Sequence, residues 1–371
     1  MQMTNFNHKY FLDLYKDRSE SANMLEKPSM RGVKKSVVDK YSDQAHFIYE
    51  LLQNADDAGA TSARFVLYED KLVFAHNGSR HFTVSNPATE DEDLENGRLG
   101  DVNAITSIAN SNKTESSIGK FGVGFKAVFL YTSSPRVYDP ELAFRIDRFI
   151  VPSLIEEDYP GRGQNETLFV FPFDNPACPK TVAYNDIKDK LRNLKYPILF
   201  LSKLEYVSYE IGEKIGIYGK KIEEEWSIED TRIQKLQLSR NEGNDIRDQY
   251  LWLFSRKEDI CTYSVGFFLN EEGKLLPITE PAYCFFPTKV VTGLKFLIHA
   301  PFLLNDSREG IKAGATVLLK NGTYSLNCNG DAIRATGNIQ IDGGSFTVVT
   351  GDDTVQSDGV VQFNGSNLKE K

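Results

Sequence analysis

Glu50, Asn54 and Asp57 stand at i, i+4 and i+7 in the segment ELLQNADD, so on a helix they share one face. A carboxylate, an amide oxygen and a second carboxylate in a row suit an oxygen-loving cation and an activated water. The same row also fits a solvated helix face. A second set lies in SSIGKFGVGFKAVF, where Gly119, Gly122 and Gly124 surround Val123 and precede a helix expected to begin near Gly122. Glycines let backbone N–H groups approach an anion, and a helix N-terminus adds partial positive charge. The order is GxxGxG, not the Rossmann GxGxxG, and the absence of GxxxxGK[ST] excludes a P-loop. These glycines also fit tight helix packing.

The elements that must position these residues can be read from periodicity. In DKYSDQAHFIYELLQNADDA, Phe47, Leu51 and Ala55 fall four apart, as do Ile48 and Leu52, which predicts a helix with one buried stripe. The run ARFVLYEDKLVFAHNG predicts a hairpin, with strands around 63–68 and 71–76 and a turn at Glu69-Asp70. A polar stretch from about 78 to 121 follows, with the acidic run TEDEDLEN and a short helix near 101–109. So long a segment before a glycine loop reads as a lid or as a surface excursion.

Helix with ExxxN, hairpin, lid, then GxxGxG opening a helix: this order resembles the GHKL ATPases, most closely their heat-shock chaperone and sacsin branch. ELLQNADDAGAT looks like that branch's N-box, and IGKFGVGFKAVF looks like its glycine box. The resemblance covers roughly residues 30 to 175 and implies an α+β fold, a Bergerat-type α/β sandwich that holds ATP and Mg²⁺. It casts Glu50 as the residue that polarises the attacking water and Asn54 as the Mg²⁺ ligand. Asp57 falls beside the nucleotide, and Gly119, Gly122, Val123 and Gly124 form the phosphate loop. Thr167, in GQNETLFVFPF, matches the threonine that supports the adenine site; as a β-former it also suits a strand start. Lys113 lies in the lid region and reads better as surface than as a phosphate contact.

The resemblance departs at one place. The family's DxGxG aspartate, which accepts from the adenine amino group, is replaced in FAHNGS by His76, as sacsin-like members also lack it. Asn77 beside it offers an amide oxygen to the adenine instead. A third match lies further on, where APFLLNDSRE resembles the chaperones' middle-domain loop. It casts Arg308 as an arginine finger in cis, against the plainer reading of a surface arginine.

From Gly310 the texture changes. Gly310-Ile-Lys-Ala recurs at Ala332 and Thr354, with a spacing of 22 residues both times. Val317, Ile339 and Val361 fall in line, as do Leu319, Ile341 and Phe363, Tyr324 and Phe346, and Leu326 and Val348. Alternating apolar residues broken by turn residues at a fixed period predict a short β-solenoid of three coils. The repeats resemble Gly/Asp-rich coils of some bacterial carbohydrate-binding proteins. The expected domains are 1–205 as the ATP-binding domain, 206–309 as a truncated middle-domain-like segment, and 310–371 as the solenoid.

Composition bounds the rest. The 371 residues are 40% hydrophobic and 26% charged, ordinary for a globular chain of about two or three domains. The N-terminus lacks an apolar signal region, no run is long enough to span a membrane, and four scattered cysteines suit free thiols in the cytoplasm. Neither nucleic acid nor membrane is expected as a partner, given a net charge of −9. Five histidines show no metal-ligand spacing, and no GxSxG elbow is present. The expected function is an ATP-binding, slowly hydrolysing chaperone-type module that converts ATP and water to ADP and phosphate, with a client not named by the residues. The alternative is a non-catalytic nucleotide sensor or scaffold that uses the solenoid as its interaction surface, carbohydrate included.

Overall fold

A computed structural model describes residues 5–30, 46–107, 124–258, 261–302, 304, 317–327, 332–335, 338–351, 353–357, 360–365 and 367–370. Gly119, Gly122, Val123, Lys113 and Arg308 lie outside the described residues. The chain divides into two compact units, one of 1–260 with 267–276 and one of 261–266 with 277–371.

The first unit is mixed α/β with a large mixed sheet. Its helices are α1 (Asn5–Leu25), α2 (His46–Asp57), α3 (Glu90–Glu95), α4 (Asp101–Thr106) and α5 (Lys180–Arg192). Its strands include β1 (Ser62–Tyr68), β2 (Lys71–His76), β3 (Arg136–Tyr138), β4 (Ala143–Asp147), β5 (Val151–Leu154) and β6 (Thr167–Pro172). Further along come β7 (Tyr206–Ile211), β8 (Lys214–Ile228), β9 (Thr231–Glu242) and β10 (Asp245–Glu258). They run in the order β10-β9-β8-β7-β1-β2-β6-β3-β4-β5. Only β1 and β7 pair in parallel here; the other neighbours are antiparallel. The expected hairpin is present as β1–β2, with Tyr68 opposite Lys71 across the turn. Where an α-helix was expected from the glycine box, Gly124–Leu130 forms a 3-10 helix.

β6 reads TLFVFP, a continuous apolar run, because both of its faces are covered. Leu168 and Val170 join Val73, Ala75, Tyr138 and Ala143 on one face, against which Ile155 and Tyr159 pack. On the other face Phe169 and Phe171 meet Phe74, Phe82 and Phe125, which ties the sheet to the 3-10 helix. α1 closes the same layer through Phe11, whose ring meets Phe144 edge-on. The buried residues Phe11, Leu14, Ala22 and Leu25 follow helical spacing. Arg18 falls on the same stripe and is buried; its Nη2 donates to both carboxylate oxygens of Glu90 at 2.6 and 2.8 Å, and its Nη1 donates to Asp17.

In the second unit β11 (Pro281–Cys284) pairs with β12 (Phe286–Val291) and with β13 (Leu297–His299). The tail then forms short parallel pairs in the register the repeat predicts. Val317 faces Ile339 and Ile339 faces Val361; Leu319, Ile341 and Phe363 align likewise. Tyr324 pairs with Phe346 and Leu326 with Val348. Ile339, Ile341, Phe346 and Val348 are buried in these stacks while Val361 and Phe363 are exposed, and the Tyr324 and Phe346 rings lie 4.5 Å apart and nearly parallel. Gly344 must be glycine: its φ is +88°, and a Cβ would sit 2.9 Å from the Gly322 carbonyl oxygen. Among the described residues no helix is long and apolar enough to cross a membrane.

Candidate nucleotide site

α2 is buried on nearly every side, not on one stripe alone. Phe47, Ile48, Leu51, Leu52 and Ala55 are in the core, and Glu50 and Asn54 are only 9% and 7% exposed. This removes the solvated-face reading for those two residues. The end of the helix is pinned by Asp56. Its carboxylate accepts from the backbone N–H of Ser202 (3.0 Å), Lys203 (2.6 Å) and Leu204 (2.8 Å), and from the Ser202 hydroxyl (3.0 Å). That grip fixes where Glu50 and Asn54 stand relative to the strand that follows, β7.

Asp57 differs from its neighbours in being exposed. Protein atoms nevertheless crowd its carboxyl, and this desolvation pushes it up to about 6. Asp56 and Glu50 add repulsion, while the Arg80 guanidinium opposes it. The open side of Asp57 tempers the size of this shift but not its direction. A carboxylate held among others of its own charge gains from a cation nearby; the Mg²⁺ ligand that the resemblance implies is Asn54. Among the described residues no group of three or more His, Cys, Asp or Glu is arranged to hold a metal.

Beyond the helix end lies a cavity of about 230 Å³ counting its open mouth, with an enclosed part about the size of one water. It is lined by Ala58, His76, Arg80, His81, Phe82, Asp101 and Thr167. His76 ends β2 and Thr167 begins β6, and the two are paired across the strands, so both point into the same layer. Gly78 lets the loop pass against α2: a Cβ there would meet the Ala58 carbonyl oxygen at 2.8 Å. Its N–H donates to His76 Nδ1 at 3.1 Å. Burial pulls the His76 imidazole down to about 4, partly offset by Glu166, so the ring is neutral at pH 7.

Thr167 is 1% exposed, and its hydroxyl donates to Asp139 Oδ2 at 2.7 Å. His81 Nδ1 approaches the same oxygen at 3.3 Å, and the Glu141 N–H donates to Asp139 Oδ1. Across the cavity Arg80 pairs with Asp101, which also accepts from the Thr83 N–H and hydroxyl. Asn77 stands differently from the expectation that it would face a base. Its amide oxygen accepts from the Thr61 and Ser62 N–H groups at 3.0 Å each, and its NH₂ donates to the Thr61 hydroxyl.

Sequence reasoning missed Asp139, His81, Arg80 and Asp101. Asp139 sits in YDPEL, which reads as an ordinary turn, and nothing in its spacing ties it to Thr167. Lys126, just past the glycine box, is also buried. It donates to the Phe149 carbonyl at 2.9 Å and lies 4.7 Å from that ring's centre. Desolvation brings its ammonium down to about 7, with Arg18 pushing the same way.

Comparison with known proteins bears on both ends of the chain. Residues 28–143 match the family described as Sacsin domain. Two curated relatives extend the likeness. The chain is 26% identical over 344 residues to Protein NO VEIN of Arabidopsis thaliana, covering 82% of this chain and 12% of that protein. It is 22% identical over 373 residues to human sacsin, covering 75% of this chain and 8% of that protein. These matches support a sacsin-like family. The chain therefore spans about an eighth or less of the length of the relatives it matches. Residues 303–356 match a family described as carbohydrate-binding domain-containing protein.

Proposed function

We propose that the first unit is a nucleotide-binding module of the chaperone-type GHKL kind, with a Bergerat-type arrangement of helices on a mixed sheet. The observation that carries this reading is that Ala58, the residue that follows α2, lines one cavity together with His76 of β2 and Thr167 of β6. Glu50, Asn54 and Asp57 lie on the helix beside it, and His76 and Thr167 line it. The Sacsin domain match over 28–143 supports the same reading. ATP with Mg²⁺ is the ligand that the resemblance implies. Bound Mg²⁺ would supply charge neutralisation for the phosphates. Asn54 offers an amide oxygen to it, and Asp57 a carboxylate whose crowding a cation relieves. Glu50 would orient a water and take its proton as the water attacks the γ-phosphorus, with the β–γ bridging bond breaking and ADP leaving. The resemblance assigns phosphate contact to Gly119, Gly122, Val123 and Gly124, and an arginine-finger role to Arg308.

The match of 303–356 to a carbohydrate-binding family favours a second role for the tail. In this reading the stacked parallel strands are a β-solenoid that serves as an interaction surface, and nucleotide occupancy is a signal more than a fuel. The two readings separate on turnover. Phosphate release from Mg²⁺-ATP should be slow in the wild type and lost in Glu50→Ala while ATP binding persists. Binding without turnover in the wild type would favour the sensor, and binding of no purine nucleotide at all would remove the nucleotide reading.

A further inference from the structure

We infer that the base-reading corner of this site is inverted relative to an adenine site, and that it prefers a purine carrying a carbonyl at position 6. The inference rests on the proposed nucleotide site and concerns only which base it takes.

The argument starts from two buried side chains paired across β2 and β6. His76 is 3% exposed and lines the cavity. Its Nδ1 accepts from the Gly78 N–H, so a neutral ring carries its proton on Nε2. No protein partner meets Nε2 among the described residues, so the atom that His76 offers to the cavity is a donor. Thr167 works the other way. Its only proton is committed to Asp139 Oδ2, and Asp139 is itself fully buried and held by His81 and the Glu141 N–H. The Thr167 oxygen is left with lone pairs, so it faces the cavity as an acceptor.

The two atoms thus present a donor beside an acceptor. A 6-oxopurine carries the complement on one edge, with O6 accepting and N1–H donating. Adenine carries the reverse, an amino donor at position 6 and an acceptor at N1. Placed here, adenine sets its amino group against the His76 Nε2–H and its N1 against the Thr167 lone pairs. Buried polar groups left facing like groups discriminate strongly between such analogues. An aspartate at position 76 would have offered an acceptor instead, which is the polarity adenine needs.

The test is calorimetric titration of the full chain with the Mg²⁺ complexes of inosine triphosphate and ATP, which differ at this edge alone. Wild type should bind the inosine nucleotide at least about tenfold more tightly. His76→Asp should shift the preference toward ATP. Thr167→Val, nearly isosteric, should reduce the preference to what the His76 donor alone supports, and its thermal melt reports whether the fold survives. Equal or tighter ATP binding by the wild type overturns the inference and leaves the nucleotide site standing. Binding of neither overturns both. Uracil carries the same edge at O4 and N3–H, so UTP is the third ligand; UTP binding tighter than inosine triphosphate would overturn the purine assignment.

Discussion

Replacing Asp56 by alanine tests whether the C-terminal end of α2 holds the site in place. The Asp56 carboxylate accepts four hydrogen bonds, three of them from consecutive backbone N–H groups at 202–204. Leu204 is fully buried, so its N–H would lose its partner with no water to replace it. That one loss costs about 1–3 kcal/mol. The N–H groups of Ser202 and Lys203 lie nearer the surface, where water recovers part of the loss, and they add about 0.5–1 kcal/mol each. The total is about 3–4 kcal/mol, or a melting temperature lower by roughly 10 °C for a unit of this size. Urea denaturation followed by circular dichroism reads this as a lower midpoint at unchanged slope. Asp56→Asn, which keeps one acceptor oxygen, should retain about half of the stability. A loss below about 1 kcal/mol in Asp56→Ala would refute the reasoning, because the four bonds would then carry no net weight.

Other expectations follow from the same geometry. Gly78→Ala places a Cβ 2.8 Å from the Ala58 carbonyl oxygen and should cost about 1–3 kcal/mol; a wild-type melting curve would show that the loop shifts freely. Lys126→Met should stabilise the protein at pH 7 by about 1–2 kcal/mol, since the lost bond to Phe149 offsets part of the relieved desolvation. The folded group is pulled down to about 7 from an unfolded value near 10.5, so stability is lost as pH falls through that window. The mutant's advantage should therefore shrink toward pH 10, and denaturation at both pH values checks it. Asp57 is raised, so it opposes folding more as pH rises from about 4 through about 6. Asp57→Asn should be more stable than wild type at pH 7 and equal to it at pH 4; the opposite order would contradict the crowding. Ile341→Ala, fully buried in the tail, should cost about 2–5 kcal/mol and raise hydrogen exchange along the strand Ile339–Asp342 and its neighbours.

The parts of this structure that were legible in the sequence are those set by short-range periodicity. The β1–β2 hairpin follows from alternation around Glu69-Asp70, and the tail's register follows from its 22-residue repeat. At the candidate site the residues of the helix, His76 and Thr167 could be named from the sequence, but not how they stand. Periodicity assigned α2 one buried stripe, but tertiary contacts cover Glu50 and Asn54 as well. Asn77 looked like a substitute for the lost aspartate because it adjoins it, yet its amide closes the start of β1. The polarity of His76 depends on which nitrogen receives the Gly78 N–H, and that of Thr167 depends on a partner 28 positions away, Asp139. The strands β8 to β10 were hidden for another reason: runs such as KKIEEEW place charges on exposed positions and blur the apolar alternation.

Hydrogen–deuterium exchange of the full chain with and without saturating Mg²⁺-nucleotide tests the central claim most directly, since it reports where a ligand is held as well as whether it binds. Slowed exchange is predicted in residues 47–58, 76–82 and 167–171, which carry α2, the loop past His76 and the start of β6. Exchange in the tail strands from Val317 onward should be unchanged. Unaltered exchange at all three segments, or protection confined to the tail, would contradict a nucleotide site between α2, β2 and β6.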